Sequence, residues 1–269
     1  MSFFTRCKEV LDDGDLESKF SGFEALFDDF RSDKLGFEDE IIEPLISPSY
    51  AKFAQIYEMK ELKKQKSADK NAAFLHSIAH IEYSAIDIAL DACYRFRGLP
   101  KEYYFDWLEV AGDEIRHFKM IDEQLQKTGY KYGDLSVHNG LFIALQKTQG
   151  SLLNRMAVLP RFMEANGLDA NLFMMEKIKT DASKNWLTNT LKIIHHEEID
   201  HVKKGDKWFK FACKEQGVDP NSWINIVLKH YPNAFSTKRE LDEAHRIMAG
   251  FSTDELEAMK KLQLDKEKL

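Results

Sequence analysis

The stretch that decides the fold is Asp113-Glu114-Ile115-Arg116-His117, together with its counterpart Glu197-Glu198-Ile199-Asp200-His201. Each holds a Glu-x-x-His pair, Glu114/His117 and Glu198/His201, inside a long segment of helical apolar periodicity. Residues three apart lie on one helix face, so each glutamate points the same way as its histidine. A lone glutamate precedes each pair: Glu82 stands 32 residues before Glu114, and Glu164 stands 34 before Glu198. Glu82 shares a stripe with Ile78, Ala79, Ala85 and Ile86. Glu114 shares one with Trp107, Val110, Ala111 and Phe118, and Glu198 one with Leu191, Ile194 and Val202. Glu164 is less regular, because Pro160 distorts the helix beside it.

Turn signals fall midway between the paired positions. Gly98-Leu99-Pro100 lies at the midpoint of Glu82 and Glu114, and Asp181 near that of Glu164 and Glu198. In an antiparallel hairpin, equal residue counts either side of the turn bring two residues to one level. Four carboxylates at one level in an apolar core would repel, and each alone would be protonated or costly to bury. Two divalent cations neutralise them. The order E, ExxH, E, ExxH is the ligand set of a di-metal carboxylate helix bundle. The bland alternative is salt-bridged or solvent-facing residues on the helices of a chain that is 31% charged. One ExxH would not outweigh it; two, each with an inward glutamate at near-equal offset, do.

Outward from this core the chain reads as all-α. Helices are expected over 68–97, 101–128, 139–166 with a bend at Pro160, and 184–216. Gly167 is expected to break the third, and Asp169 to cap a short continuation over 170–180. Amphipathic helices are expected within 2–31, an irregular segment over 32–50 and a further helix over 49–65. Residues 129–138 read as loop, and no strand pattern is evident. The organisation is an N-terminal extension over 1–67, a di-metal four-helix bundle over 68–216 and a C-terminal helical extension over 217–269, together one compact domain. The net charge of −7 argues against a general nucleic-acid coat, and the lysines at 203, 204, 207 and 210 read as a solvated face. Three widely spaced cysteines fit a reduced compartment. With no signal-peptide core and no membrane-length apolar run, the expected location is cytoplasmic.

These residues resemble the ferritin-like di-iron superfamily. The DEIRH segment matches the D-E-x-R-H form of bacterial di-iron monooxygenases, and the second copy has Asp200 in place of the arginine. More closely, residues 70–210 resemble an uncharacterised bacterial ferritin-like family, a domain of unknown function. The segments that carry this are HSIAHIEYSAIDIALDACYRF, DEIRH, YGDLSVHNGLF, LPRFMEANGLD and HHEEIDHV. The resemblance implies a four-helix bundle with two metal ions, iron or an iron/manganese pair, with zinc permitted by ligand type. Glu82, Glu114 and His117 would hold one ion and Glu164, Glu198 and His201 the other, with Glu114 and Glu198 bridging. Asp113 and Glu197 would orient the histidines, with Arg116 tying that network, or else would make surface ion pairs.

His195, one turn before Glu198, reads as a spare ligand, a proton donor or a half-buried polar residue. His76 and His80 lie off the Glu82 stripe and read as packing or hydrogen-bonding residues. Tyr83 and Trp107 read as core side chains or electron carriers, and His138 as a residue near a substrate opening. The expected function is an oxidoreductase of hydroxylase or oxygenase type. Its partners would be dioxygen or peroxide, a small-molecule or modified-macromolecule substrate and an electron-donor protein, with homo-oligomerisation left open. The alternatives are metal handling or peroxide defence, or a helical scaffold with structural metals. No Cys-x-x-Cys pair supports a rubredoxin-like centre.

Overall fold

A computed structural model describes residues 2–38, 41–62, 64, 69–179, 185–236 and 240–265. The fold is all-α, and the chain divides into two compact units, Met1–Gln146 and Lys147–Leu269.

The first unit is built on a hairpin of two long helices, α4 (Lys70–Arg95) and α5 (Lys101–Gln126); α1 to α3 precede them in the chain. Asp69 starts α4 by accepting the backbone N–H groups of Asn71 and Ala72, which satisfies donors a helix cannot pair internally. The turn at Gly98 (φ +67°) needs the left-handed conformation glycine adopts without strain, and Pro100 precedes α5. Tyr103 and Tyr104 close the hairpin by donating their hydroxyls to the Ala92 and Phe96 carbonyls. The amino-terminal helices α1 (Phe3–Asp12) and α2 (Leu16–Arg31) lie against this pair. Their phenylalanines Phe3, Phe4, Phe20, Phe23 and Phe30 are buried.

Lys19 of α2 is fully buried. It donates to the Val10 and Leu11 carbonyls at 3.0 and 2.8 Å, capping the end of α1, and pairs with Asp87 of α4 at 2.7 Å. Ser49 bridges Asp87 and the Tyr83 hydroxyl at 2.7 and 2.8 Å.

The expected helix over 49–65 is a 3₁₀ turn (Ser49–Lys52), a short strand β1 (Ile56–Tyr57) and one helical turn, α3 (Met59–Leu62); residues 63 and 65–68 lie outside the described residues. Strand β1 pairs in parallel with β2 (Val137–His138), inside the stretch read as loop. Two-residue strands have no alternation for a sequence to display.

The expected helix over 139–166 is three pieces. The helix α6 (Gly140–Thr148), within which the division falls, is followed by α7 (Leu152–Val158) and a π-helical turn over Leu159–Glu164. Then α8 (Ala165–Ile178) continues through Gly167. Gly167 therefore does not break the helix. Asp169 does not cap one either: it is buried in α8, with its carboxylate on Arg246. The expected break near Asp181 lies outside the described residues.

Pro160 lacks the N–H an α-helix would use, and the π turn absorbs that loss. Against it runs α9 (Asn185–Gln216), where a Cβ built on Gly205 would overlap the Pro160 ring. Arg161, fully buried, pairs with Asp206 of α9 and with Glu255 at 2.7 and 2.6 Å, among the rings of Phe209, Trp223 and Phe251. These contacts seat α10 (Trp223–His230) and α12 (Thr253–Asp265), between which lies α11 (Glu243–Met248). Among the described residues no helix is long and apolar enough to cross a membrane.

Candidate metal centre

In the first unit α4 and α5 bring Glu82, Glu114 and His117 together. His117 Nδ1 lies 3.4 Å from Glu82 Oε2 and 3.5 Å from Glu114 Oε2. Glu114 and His117 are fully buried and Glu82 nearly so. In the second unit the π turn and α9 bring Glu164, Glu198 and His201 together. His201 Nδ1 lies 3.5 Å from Glu164 Oε1 and 3.8 Å from Glu198 Oε2. His201 is fully buried, while the Glu164 and Glu198 side chains keep 18% and 11% of their exposure. This half is the more open of the two.

The electrostatics follow from burial. Desolvation pushes Glu82 up to about 7, against the pull of His117, and the nearby Glu114 carboxylate adds to the rise. For His117 burial opposes the charged form, but the Glu114 and Glu82 carboxylates outweigh it and raise the imidazole to about 11.

Within each set one nitrogen and two carboxylate oxygens lie inside 4.8 Å of one another. The nitrogen–oxygen separations of 3.4–3.8 Å are long for hydrogen bonds. They approach the spacing of donors that share an ion at about 2.0–2.2 Å. Mixed carboxylate and imidazole donors suit iron, manganese or zinc. The residues present therefore fit a divalent transition metal in each set.

Around these sets, Asp113 accepts from Arg116 Nη1 at 2.9 Å, on a side of α5 where Arg116 is half exposed. Glu197 is half-buried. His195 turns to Asp242 and His245, its Nε2 lying 3.2 Å from Asp242 Oδ2 and 3.3 Å from His245 Nδ1.

His76 accepts from the Gly133 and Leu135 N–H groups. His80 links the Tyr132 hydroxyl and the His138 carbonyl, both fixing the loop after α5. Tyr83 and Trp107 are core residues. His138 is half-buried beside that loop, its carbonyl held by His80. Lys204 and Lys210 pair with Asp200 and Asp206 one turn away on α9.

Sequence reasoning missed Asp242 and His245. The signal was there: Asp242-Glu243-Ala244-His245 repeats the carboxylate-x-x-His spacing. It lies in a terminal segment with no long helix to mark an inward face.

Fold and site together define an all-α protein with two glutamate–glutamate–histidine sets, one buried and one partly exposed at Glu164, each on packed helices of its own unit. The chain belongs to the family described as "Protein of unknown function (DUF455)", which matches residues 12–257. It is 39% identical over 193 residues to a protein of Haemophilus influenzae described as "Uncharacterized protein", an alignment covering 69% of this chain and 66% of that one. The chain thus spans just under two thirds of that relative's length. No solved structure matches.

Proposed function

We propose that the two sets are the ligands of one dinuclear metal centre in a ferritin-like four-helix bundle, and that the protein is an oxidoreductase of hydroxylase or oxygenase type. The observation that carries this reading is the chemical equivalence of the two sets. Each has one lone glutamate and one Glu-x-x-His pair, drawn from two packed helical segments, with every donor residue but Glu164 buried. A single buried carboxylate–histidine pair is an ordinary core feature. Two with the same donors in the same order match the inward ligands of di-iron carboxylate bundles.

In this reading Glu82, Glu114 and His117 hold one ion and Glu164, Glu198 and His201 the other. Bound iron, or an iron/manganese pair, would activate dioxygen by passing electrons to it, so that the reduced oxygen oxidises an organic substrate while an electron-donor protein restores the metals. The chain's own residues fix the donors and exclude water. Burial of Glu114, His117 and His201 keeps the donor atoms from bulk solvent. Metal handling, peroxide defence and structural metals use the same ligands and differ in the chemistry after the ions are bound.

The test is metal content per chain for wild type, Glu114→Ala and Glu198→Ala after growth with iron and manganese, then anaerobic reduction and exposure to dioxygen under an optical probe. The reading expects paired ions in wild type, their loss in each variant and a transient oxidised species. Full occupancy in both variants sinks the ligand assignment. Iron and peroxide turnover without organic substrate moves the protein to peroxide defence.

A further inference from the structure

We propose that His195, Asp242 and His245 form a separate mononuclear site for a divalent transition-metal ion of the zinc or iron(II) type. The set shares no residue with the two glutamate sets, lies wholly within the second unit, and does not depend on the dinuclear reading.

The argument starts from donor geometry. His195 Nε2, His245 Nδ1 and the Asp242 carboxylate converge, with separations of 3.3 Å between the nitrogens, 3.2 Å from His195 to Asp242 Oδ2 and 2.8 Å from His245 to Asp242. For an ion at about 2.0–2.2 Å from each donor, neighbouring ligands stand roughly 2.9–3.5 Å apart between octahedral and tetrahedral limits. All three separations meet or closely approach that range. Two imidazoles and one carboxylate on one side of an ion is also a known arrangement, leaving further positions open. The opening here lies toward His245, whose side chain is 35% exposed, whereas His195 and Asp242 are buried.

Two ring nitrogens face each other and the same carboxylate, so a cation at the centre can take a lone pair from each ring and one from Asp242, the acceptor that would otherwise take the ring N–H groups. The tautomer needed is available: His195 Nδ1 is buried and has no hydrogen-bond partner among the described residues, so it can carry the ring proton and leave Nε2 to ligate.

The framework is also held in place. Arg246, fully buried, grips Asp169 of α8 through two bonds of 2.9 and 2.8 Å. The same carboxylate accepts the Asp242 N–H at 2.9 Å. Asp242 and His245 are thereby pinned to α8 from behind while His195 comes from α9, which is how outer partners orient a ligand set.

The test uses the full-length chain stripped with chelator and titrated with cobalt(II), whose visible bands report ligand number and geometry. Wild type, His245→Ala, Asp242→Asn and the exposed control His196→Ala are compared, with helical content measured on each. His245 is partly exposed, so its variant is expected to fold even if Asp242→Asn does not. The expected result is loss of one equivalent in His245→Ala, full retention in His196→Ala, and retention of that equivalent in Glu114→Ala. Wild type binding a single equivalent that His245→Ala abolishes would support this site and overturn the dinuclear reading. Two equivalents in wild type, both kept by His245→Ala with less than a tenfold loss of affinity, would overturn this site and leave the dinuclear reading standing.

Discussion

The two glutamate sets are chemically alike and structurally unlike. In the first unit the donors sit on two unbroken helices of 26 residues each, packed as a hairpin. In the second unit one partner is divided into α7, a π turn and α8, and Glu164 is the last residue of the turn. Regular helix places Glu82 by register alone. Glu164 is placed by an irregularity that Pro160 and Gly205 maintain together. Like donor sets can thus rest on regular helix in one unit and on a π turn in the other, and π turns are frequent at functional sites.

The buried cations give the strongest way to sharpen that comparison. Lys19→Met leaves Asp87 buried without its cation, and the expected cost is about 3–5 kcal/mol in chemical denaturation. Burial already raises Asp87 even with Lys19 present. Arg161→Met should cost less, because Asp206 keeps Lys210 at 2.6 Å and Glu255 is partly exposed. Equal losses would break the distinction.

Glycine substitutions come next. Gly205→Ala drives a methyl group into the Pro160 ring, so overpacking should destabilise by about 1–3 kcal/mol and weaken metal binding at the Glu164 set. Gly112→Ala on α5 meets only the Phe23 ring edge at 3.4 Å. It should be neutral or stabilising by up to about 1 kcal/mol, since alanine favours helix. Thermal denaturation of the two variants side by side decides whether α9 depends on a close approach at its glycine that α5 does not.

The smallest expected effect is one of pH. Burial holds His80 neutral, its pKa lowered to about 3, and lowers His76 to about 4. Both lie below the unfolded value near 6.5, so their stabilising contribution is full above that pH and is lost as pH falls toward 4. For His80 the loss between pH 7 and pH 6 should be about 0.5–1 kcal/mol. Denaturation of His80→Gln at the two pH values should show a smaller drop than wild type; an unchanged drop would remove the histidine from the account.

The candidate ligands were legible because helical periodicity and spacing are local signals. Glu82, Glu114 and His117 needed only two regular helices and a Gly-Pro turn. Glu164 was legible as a candidate but not in its setting, since a proline predicts a bend and not a π turn. Gly167 and Asp169 carried signals for a helix end that tertiary contacts overrode: the Asp169–Arg246 pair lies in the interior of the second unit, and buried Arg246 is 77 residues away in sequence. Asp242 and His245 went unnoticed for the same reason, because nothing local says that they meet His195 of α9. The short parallel pairing of β1 and β2 joins Ile56 to Val137 and is equally non-local.

The most direct test of the central claim is Mössbauer and electron paramagnetic resonance spectroscopy of the iron-loaded protein in its oxidised state. A dinuclear centre built from both sets predicts an antiferromagnetically coupled ferric pair with a diamagnetic ground state, lost in both Glu114→Ala and Glu198→Ala. Iron present only as isolated high-spin ferric ions, or a coupled pair that survives either substitution, would contradict it.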